Sequence, residues 1–490
     1  MMDFNQFKDH FTSGDNFILS KDLVAGDFDI ISSFLSLKAH FKDIILLESS
    51  EKVQSRGRYS VIALAPDKKW IFQKDNIVVK DLRSSSDISY KADPISDLKA
   101  IIAKDKISDF KGLPVMAAGW YGYFGYDMVK YHDNIDIQTH GDIIPDGYFI
   151  RPEIIIILDN KLSKIQISLP IWVKDYKFSG LYQQKLKLLD QVTSLLVFQV
   201  EASINDQVNL VDYNFSATPD RETYKEIVAK CQDYIRAGEV FQIVPSRRFE
   251  SDYNHDPAAF YRSLREINPS PFLFYFGFDD FVITGSSPEI MVRIEGDDVI
   301  IRPLAGTRKR GADKQADLEI AQELLSDPKE IAEHLMLLDL GRNDVGRVVK
   351  PSTVKVLRKM EIEFYSHVMH ISSTVSGKLK PGFSALDALL AGFPAGTVTG
   401  APKIRAMEIL SSLEKFKRGF YSGCIGYFSA NSENMDMAIT LRTALIKANK
   451  IYIQSGAGVV YDSNPEAECQ ETEKKAAALF EACKQSIKYI

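Results

Sequence analysis

The sequence has 490 residues, of which 45% are hydrophobic and 26% are charged. This is the balance of a soluble globular protein and not of a disordered or fibrous chain. The length predicts two domains or one unusually large one. The formal net charge of -6, from 66 acidic and 60 basic residues, gives no overall positive field, so no nucleic-acid partner is expected.

The cysteines and the apolar runs indicate the cellular compartment. Cys231, Cys424, Cys469 and Cys483 are far apart and lack paired metal-ligand spacing, which predicts neither a zinc site nor a disulfide framework. The N-terminal residues have no signal-peptide core, and the aliphatic run 154–158 is too short to span a bilayer. We therefore expect a cytoplasmic protein with no membrane association.

The first half of the chain has strand-like runs separated by polar or Pro/Gly turns. Strands are predicted at residues 41–48, 70–79, 151–158 and 165–169, followed by a helix at 179–197. The polar segment 201–219 then marks a boundary. We predict a β-rich N-terminal domain over residues 1–200 and a second domain over residues 218–485.

The second half mixes helices and strands without a regular βαβ repeat, which predicts an α+β fold. Helices are expected at residues 220–238, 316–325 and 329–340. Strands are expected at residues 272–276, 282–284, 423–429, 437–446 and 450–455.

Two glutamate pairs have i,i+3 spacing, which places both carboxylates of a pair on one helix face. The first is Glu330 and Glu333, and the second is Glu468 and Glu471, in a helix whose predicted N-cap is Ser463. Two facing pairs suit a hard divalent cation such as Mg²⁺, which prefers oxygen ligands. Such pairs are also common on solvated helices, so the spacing alone leaves both interpretations open.

Basic and imidazole side chains provide further candidates. Arg442 lies in an apolar strand-like run, where a guanidinium needs either a bound carboxylate or a structural acid. His367 and His370 share a β-like run, and either is a candidate general acid or base.

Two glycine-rich segments, 394–403 and 455–458, present backbone N–H groups that suit carboxylates or phosphates. The first departs from the P-loop pattern, which argues against nucleotide-dependent phosphotransfer. The sequence also lacks a glycine-flanked nucleophile of the kind that hydrolyses glutamine. Any glutamine hydrolysis is therefore expected from a separate chain.

Several motifs, occurring in order between residues 220 and 483, resemble those of the chorismate-utilising enzymes. They are Asp339-Leu-Gly-Arg-Asn-Asp-Val-Gly-Arg347 and the segments 365–370, 394–403, 456–458 and 468–471. The resemblance implies a large two-layered β-sandwich flanked by helices, with a central cleft for chorismate and Mg²⁺. It implies that Glu333 and Glu471 bind the metal, with Glu330 and Glu468 supporting its waters.

The resemblance also implies which residues contact the substrate. His370 would assist departure of the ring hydroxyl, and Gln242 and Thr307 complete the catalytic set. The residues implied to hold chorismate are Gly306, Thr307, Lys403, Tyr421, Arg442, Gly456, Ala457 and Gly458.

Two positions distinguish among the activities of the family. Isochorismate and salicylate synthases are similar to one another in a water-activating lysine, where this chain has Gln242. Aminodeoxychorismate synthases typically have a nucleophilic lysine where this chain has Ala305. The resemblance therefore implies direct attack of ammonia on chorismate, the anthranilate synthase route through aminodeoxyisochorismate. Aminodeoxychorismate synthase component I is the alternative.

Leu46-Leu-Glu-Ser49 and Asn268-Pro-Ser-Pro-Phe-Leu273 resemble the tryptophan-binding elements of anthranilate synthases. They imply a feedback-inhibitor pocket, and the implied lining residues are Ser49, Pro271, Phe272 and Leu273. Phe272 and Leu273 replace the usual tyrosine and methionine. The resemblance further implies a glutamine amidotransferase partner, in a heterotetramer with two copies of each chain.

Overall fold

The computed structural model describes residues 2–26, 28–49, 57–133, 135, 137, 141, 143–197, 203–365 and 368–490. Its α-helices are α1 (Phe4–Ser13), α2 (Ile30–Lys38), α3 (Pro94–Lys104), α4 (Leu181–Val197), α5 (Arg221–Arg236), α6 (Pro257–Ile267), α7 (Lys314–Leu324), α8 (Pro328–Val348), α9 (Ala385–Gly392), α10 (Lys403–Leu413) and α11 (Pro465–Gln485). No helix within these residues is long and apolar enough to cross a membrane.

The strands follow the same chain order. Those of the first half are β1 (Phe17–Val24), β2 (Ile44–Glu48), β3 (Tyr59–Gln73), β4 (Asn76–Asp81), β5 (Ser86–Tyr90), β6 (Gly119–Phe124), β7 (Gly147–Asp159) and β8 (Lys164–Ile171). Those of the second half are β9 (Ser216–Thr218), β10 (Gln242–Ile243), β11 (Ser246–Asp252), β12 (Phe272–Gly277), β13 (Phe281–Ser287), β14 (Ile290–Glu295), β15 (Asp298–Ile301), β16 (Leu304–Lys309), β17 (Lys355–Phe364), β18 (Val368–Lys378), β19 (Gly400–Ala401), β20 (Cys424–Ser429), β21 (Asn434–Ile439), β22 (Thr443–Lys447) and β23 (Lys450–Gly456).

Strands from the two halves of the chain belong to one hydrogen-bonded sheet. β2 pairs with β12, so that Leu273 lies opposite Glu48, and β6 pairs with β20, so that Gly122 lies opposite Gly426. Both pairings are antiparallel. The predicted α+β class is therefore confirmed, with a large antiparallel sheet. The predicted domains share that sheet, and the boundary between them stays a prediction.

Two predicted strands are each divided into two. The run 70–79 spans a hairpin, because Lys74 and Asp75 adopt φ angles of 51° and 60° and turn β3 into β4. The run 437–446 is interrupted between β21 and β22, where Arg442 adopts a φ of 47°. Left-handed backbone at a non-glycine residue is uncommon, so this break at a candidate binding residue is informative.

Helix α8 is longer than the sequence predicts. The prediction ends at residue 340, whereas the helix continues to Val348. Gly341 and Gly346 weaken helix propensity, but Val345 and Val348 are buried and hold the last two turns against the core. Tertiary packing has therefore overridden local propensity.

Apolar packing determines where the ends of α8 lie. The helix packs on β16 and β18, and its buried side chains join those of α9, β14 and β20 in a single cluster. A second cluster lies between the first-half strands and helices α2, α4 and α6. The first turn of α8 thereby comes to lie beside residues 306–308 of β16.

Candidate active site

The first glutamate pair lies at the start of α8. Asp327 caps the helix by accepting hydrogen bonds from the backbone N–H groups of Lys329 and Glu330. Arg308 of β16 donates to Glu330 at 2.8 Å. Glu333, one turn later on the same helix, accepts a hydrogen bond from Gln242 at 2.8 Å. The helix start is thus tied to two neighbouring strands through the carboxylates that the sequence singles out.

Gln242 occupies a buried position between Glu333 and the segment that follows β23. Its amide nitrogen donates to Glu333, and its buried Oε1 has no hydrogen-bond partner within the described part of the chain. A Cβ on Gly458 would lie 2.8 Å from that amide nitrogen, and a Cβ on Gly400 would lie 2.2 Å from the Gln242 carbonyl. Only glycines allow this close approach, and they hold the Gln242 side chain at Glu333.

The second glutamate pair lies at the start of α11, where the predicted N-cap is wrong. Asn464, and not Ser463, caps the helix by accepting from the N–H of Ala467. Ser463 instead donates its hydroxyl to Glu468 at 2.7 Å. Burial raises the pKa of Glu468, and the charge of Glu471 adds to that rise. These two carboxylates therefore lie close enough to repel each other.

The structure allows a test of whether these residues fit Mg²⁺. Among the described residues, no three His, Cys, Asp or Glu side chains converge into a preformed metal cage. Mg²⁺ commonly takes one or two carboxylates together with water and substrate oxygens, so a preformed cage is not required. The unpaired Oε1 of Gln242 beside Glu333 and the mutual repulsion of Glu468 and Glu471 are both relieved by a cation. The oxygen-rich donor set fits Mg²⁺, and the individual ligand roles stay predictions.

His370 lies on β18 opposite Thr307 of β16. Its Nδ1 is 3.1 Å from the carbonyl oxygen of Gly306 and 3.0 Å from the Thr307 hydroxyl. Because a carbonyl only accepts hydrogen bonds, the contact with Gly306 requires the proton on Nδ1 and leaves Nε2 unprotonated. Burial, followed by the charge of Arg442, lowers the pKa of His370 to about 4. His370 is therefore a neutral imidazole near pH 7. His367 lies outside the described residues.

Gly306 connects this histidine to the glutamates. It adopts a φ of 59°, a left-handed conformation that favours glycine, and a Cβ there would lie 3.2 Å from a carboxylate oxygen of Glu330. The predicted residues Gly306, Thr307, His370 and Glu330 are thus neighbours, although they come from β16, β18 and α8.

Arg442 is a partly buried arginine between β21 and β22. Among the described residues, no acidic side chain forms an ion pair with it. Burial lowers its pKa, and the neighbouring Tyr365 opposes that shift. A guanidinium that is partly removed from water without a counter-charge is costly. The charge of Arg442 also lowers the pKa of His370, so the two side chains are neighbours. The position of Arg442 therefore suits the binding of a ligand carboxylate.

The glycine segment 456–458, at the end of β23, lies beside another predicted substrate residue, Tyr421. A Cβ on Gly456 would lie 2.8 Å from the Tyr421 hydroxyl, and Lys475 donates to the Gly456 carbonyl at 3.1 Å. Ala457 is fully buried and its N–H is bonded to the carbonyl of Pro245. The structure thus brings Tyr421 and the glycine segment together.

Lys403 has an internal partner. Its ammonium lies 2.8 Å from a carboxylate oxygen of Asp344, and both side chains are 6% exposed. A buried ion pair of this kind fixes the start of α10 to α8. The implied contact between Lys403 and chorismate stays a prediction.

Glu289 is a candidate that the sequence reasoning missed. It is 5% exposed, accepts hydrogen bonds from the Thr397 hydroxyl at 3.1 and 3.2 Å, and accepts another from the N–H of Leu304, two residues before Gly306. Burial raises its pKa to about 8. A carboxyl that holds its proton at pH 7 is able to act as a general acid. The detectable signal was an acid directly before the apolar run of β14.

The two implied inhibitor-binding elements also meet. The ladder of β2 and β12 places Glu48 opposite Leu273, so that the next residues outward, Ser49 and Phe272, adjoin. Glu48 is itself held by Arg265 at 3.0 Å and by the Tyr261 hydroxyl. Pro271 directly precedes this ladder. The two segments are far apart in sequence and come together only through the sheet.

Comparisons with known proteins agree with this arrangement. The model of the chorismate binding enzyme family matches residues 42–481. Anthranilate synthase component 1 of Cereibacter sphaeroides is 44% identical, over 98% of this chain and 97% of that protein. The protein of the same name from Aquifex aeolicus is 41% identical, over 92% and 91%.

A solved structure extends the agreement to three dimensions. Anthranilate synthase component I from Streptococcus pneumoniae superposes with a TM-score of 0.77 at 36% identity, covering 88% of this chain and 93% of that one. The chain therefore belongs to the family of chorismate binding enzymes, in the branch that contains the anthranilate synthase component 1 proteins.

Proposed function

We propose that this chain converts chorismate and ammonia to anthranilate and pyruvate, with Mg²⁺ as cofactor. The observation that carries the proposal is the assembly of Arg442, His370 and the glutamate-bearing start of α8 around β16, in a chain of the component 1 branch. Gln242 and Ala305 support this reaction over the alternatives, because neither side chain provides a lysine amine.

Arg442 and the glycine segment 456–458 anchor the substrate. The guanidinium has no acidic partner among the described residues. A substrate carboxylate would accept charge-assisted hydrogen bonds from it and so compensate for the water that Arg442 loses on burial. Gly456 and Gly458 have no side chain that would cover their backbone, and each lies against Tyr421 or Gln242. Charge and close backbone approach together orient a flat dianionic ring.

Glu289 and His370 have complementary protonation states. When ammonia attacks the ring, the departing hydroxyl needs a proton to leave as water, and Glu289 is the described group whose pKa of about 8 keeps it protonated beside β16. In the elimination step the ring loses a C–H proton as the bond to the enolpyruvyl oxygen breaks. The bare Nε2 of neutral His370 is suited to accept that proton. This differs from the acid role that the resemblance implies for His370.

Glu333 and Glu471 would hold Mg²⁺, with Glu330 and Glu468 supporting its waters. When bound, the metal would orient a substrate carboxylate and stabilise the negative charge of the departing group. Gln242 holds Glu333 in place through its hydrogen bond. Arg308 holds Glu330 in the same way.

Ammonia is proposed to come from a separate glutamine amidotransferase subunit, in a heterotetramer in the cytoplasm. The four cysteines are buried and free, and burial raises the pKa of Cys231 and of Cys424 to about 12. A thiol in this state is not a nucleophile at neutral pH. We further propose that tryptophan inhibits the enzyme by binding between Ser49 and residues 271–273.

The test is product formation from chorismate with each nitrogen source. The isolated chain with Mg²⁺ should form anthranilate from ammonium salts and none from glutamine. The rate should rise with pH up to about 8, because ammonia replaces ammonium while Glu289 keeps its proton. Formation of a para-substituted product would instead indicate aminodeoxychorismate synthase. No consumption of chorismate under these conditions would refute the proposed function, and product from glutamine alone would refute the need for a partner.

A further inference from the structure

Four residues form a polar cluster around Glu363 of β17, the strand residue opposite His370. Arg302 is 2% exposed and donates to Glu363 at 3.0 Å. The Tyr365 hydroxyl donates to the other oxygen of Glu363 at 2.9 Å and accepts from Arg302 at 3.4 Å. Ser372 adds a further hydrogen bond to Glu363 at 2.9 Å. The phenol oxygen is therefore held by a buried ion pair.

The ring of Tyr365 faces the candidate active site. Its centroid is 5.3 Å from that of the His370 ring, and the planes meet at 73° in an edge contact. The same phenol acts on the pKa of Arg442, which places it near that guanidinium as well. Glu363 is the cross-strand partner of His370 in the β17–β18 ladder. One tyrosine thus adjoins both the imidazole and the substrate-binding arginine.

The edge contact matters because the hydrogen bonds of His370 do not fix the tilt of its ring. Its Nδ1 is bound to Gly306 and Thr307, which fixes one ring atom but permits the ring to tilt about it. An aromatic edge against the ring restricts that tilt. The charged groups that act on His370 are Arg442, Glu363 and Lys475.

We propose that Tyr365 is a positioning residue, whose hydroxyl is fixed by the Arg302–Glu363 pair and whose ring orients His370 beside Arg442. This inference rests on the proposed function, because orientation matters only if His370 exchanges a proton with bound substrate. Reacting groups that are misplaced by about 1 Å lose rates on the order of 100-fold, so an ordering contact has a measurable effect.

The primary test is Tyr365→Phe, which removes the hydroxyl and keeps the ring. We expect kcat for ammonia-dependent anthranilate formation to fall about 10-fold or more, with the KM for chorismate changed less than about threefold. Tyr365→Leu, which also removes the ring, should lower kcat further. A kcat within about twofold of wild type for Tyr365→Phe would overturn the proposal.

The chain offers a matched control. Tyr261 donates to Glu48, which also binds Arg265, so the same three residue types are joined far from His370. Without tryptophan, Tyr261→Phe should leave kcat near wild type while removing an equivalent hydrogen bond. An equal loss of kcat in both variants would show a general effect on folding and would refute a local role for Tyr365.

Two further measurements separate positioning from stability. If Tyr365 acts through Glu363, the double variant Tyr365→Phe with Glu363→Gln should lose no more kcat than the worse single variant. If the losses of kcat in the two single variants add up in the double variant, Tyr365 does not act through Glu363.

Nuclear magnetic resonance of labelled histidine should show the Nδ1–H tautomer for His370 in both proteins, because the Gly306 carbonyl is unchanged. The ring-proton and ring-carbon signals of His370 should shift or broaden in Tyr365→Phe, because the edge contact with residue 365 is no longer fixed. There are 8 histidines in the chain, and His370→Asn assigns the signal. Unchanged ring signals of His370 in Tyr365→Phe would overturn the positioning role. The signal needs no turnover, so it tests the inference even if chorismate is not the substrate.

Discussion

Arg151 and Arg442 are both arginines with apolar neighbours in sequence, but among the described residues only Arg151 has acidic partners. Arg151 is fully buried in β7 and bonds to Asp67, Asp105 and Asp175 at 2.7 to 2.9 Å. Arg442 is partly buried, and no acidic partner for it lies among the described residues. A charge that serves the fold receives its counter-ions from the chain, whereas a charge that serves a ligand does not.

The same distinction applies to acids. Glu414 is buried and bound by Arg418 at 2.7 Å, so its charge is balanced within the fold. Glu468 and Glu471 lie close together, and Glu471 is 43% exposed. Glu468 accepts a hydrogen bond from Ser463, and Lys475 lies 3.8 Å from Glu471. Because two neighbouring carboxylates repel each other, this partly exposed pair is a candidate cation site, in contrast to the neutralised Glu414.

The largest effect is expected from the acids that are left for the metal. Glu333→Gln and Glu471→Gln keep side-chain size but remove an anionic ligand, and each should lower turnover by at least about 100-fold. Calorimetric titration with Mg²⁺ and an assay at saturating metal measure this loss. Glu408→Gln, on the exposed face of α10, is the control. Near-normal activity in either variant would remove that residue from the metal site.

Substitution of Arg151 should affect stability, whereas substitution of Arg442 should affect substrate binding. Arg151→Met leaves three carboxylates without their shared partner and should lower the free energy of unfolding by about 3–5 kcal/mol. Arg442→Gln should leave thermal stability near wild type and raise the KM for chorismate about 10- to 100-fold, the worth of a hydrogen bond to a charged group. Urea unfolding and steady-state kinetics on both variants test the contrast. Loss of stability in Arg442→Gln with an unchanged KM would show that Arg442 serves the fold and not the substrate.

A smaller, pH-dependent effect is expected at Glu289. The pKa of Glu289 is about 8 in the folded protein against an ordinary value of 4.5. Between pH 4.5 and pH 8 the folded state therefore binds a proton at this carboxyl that the unfolded state has lost. Its contribution to stability is therefore present at low pH and is lost as pH rises through 8. Relative to Glu289→Gln, the wild type should lose melting temperature between pH 6 and pH 8.5. A constant difference across that range would contradict the raised pKa.

The smallest effect is expected at the proposed inhibitor site. Ser49→Phe should fill the space beside Phe272 and relieve tryptophan inhibition with little loss of activity. Coupling between two sites typically amounts to ~1–3 kcal/mol, and it is reciprocal, so chorismate should weaken tryptophan binding by the same factor. Calorimetric titration of tryptophan into both proteins, with and without chorismate and Mg²⁺, measures this coupling. Equally tight binding by the variant would exclude Ser49 from the pocket.

Local pattern accounted for most element types but not for every element boundary. Helical periodicity predicted α4, α5 and the start of α8. Strand-like runs bounded by polar or Pro/Gly turns predicted β7 and β8. The hairpin between β3 and β4 was missed because Lys74 and Asp75 are not typical of a turn that needs positive φ. Local sequence reports propensity, and turns of this kind are set by the strands on either side.

By itself, the sequence determined the α+β class, the two glutamate pairs, the candidate Arg442 and, through its ordered motifs, the family. Only the tertiary structure decided that β2 joins β12, that Gln242 contacts Glu333 and that Glu289 is protonated. The physical reason is that a pKa and a missing counter-ion depend on distance and burial among distant segments. Motif residues can be read along the chain, but their charge states are properties of the packed sheet and its helices.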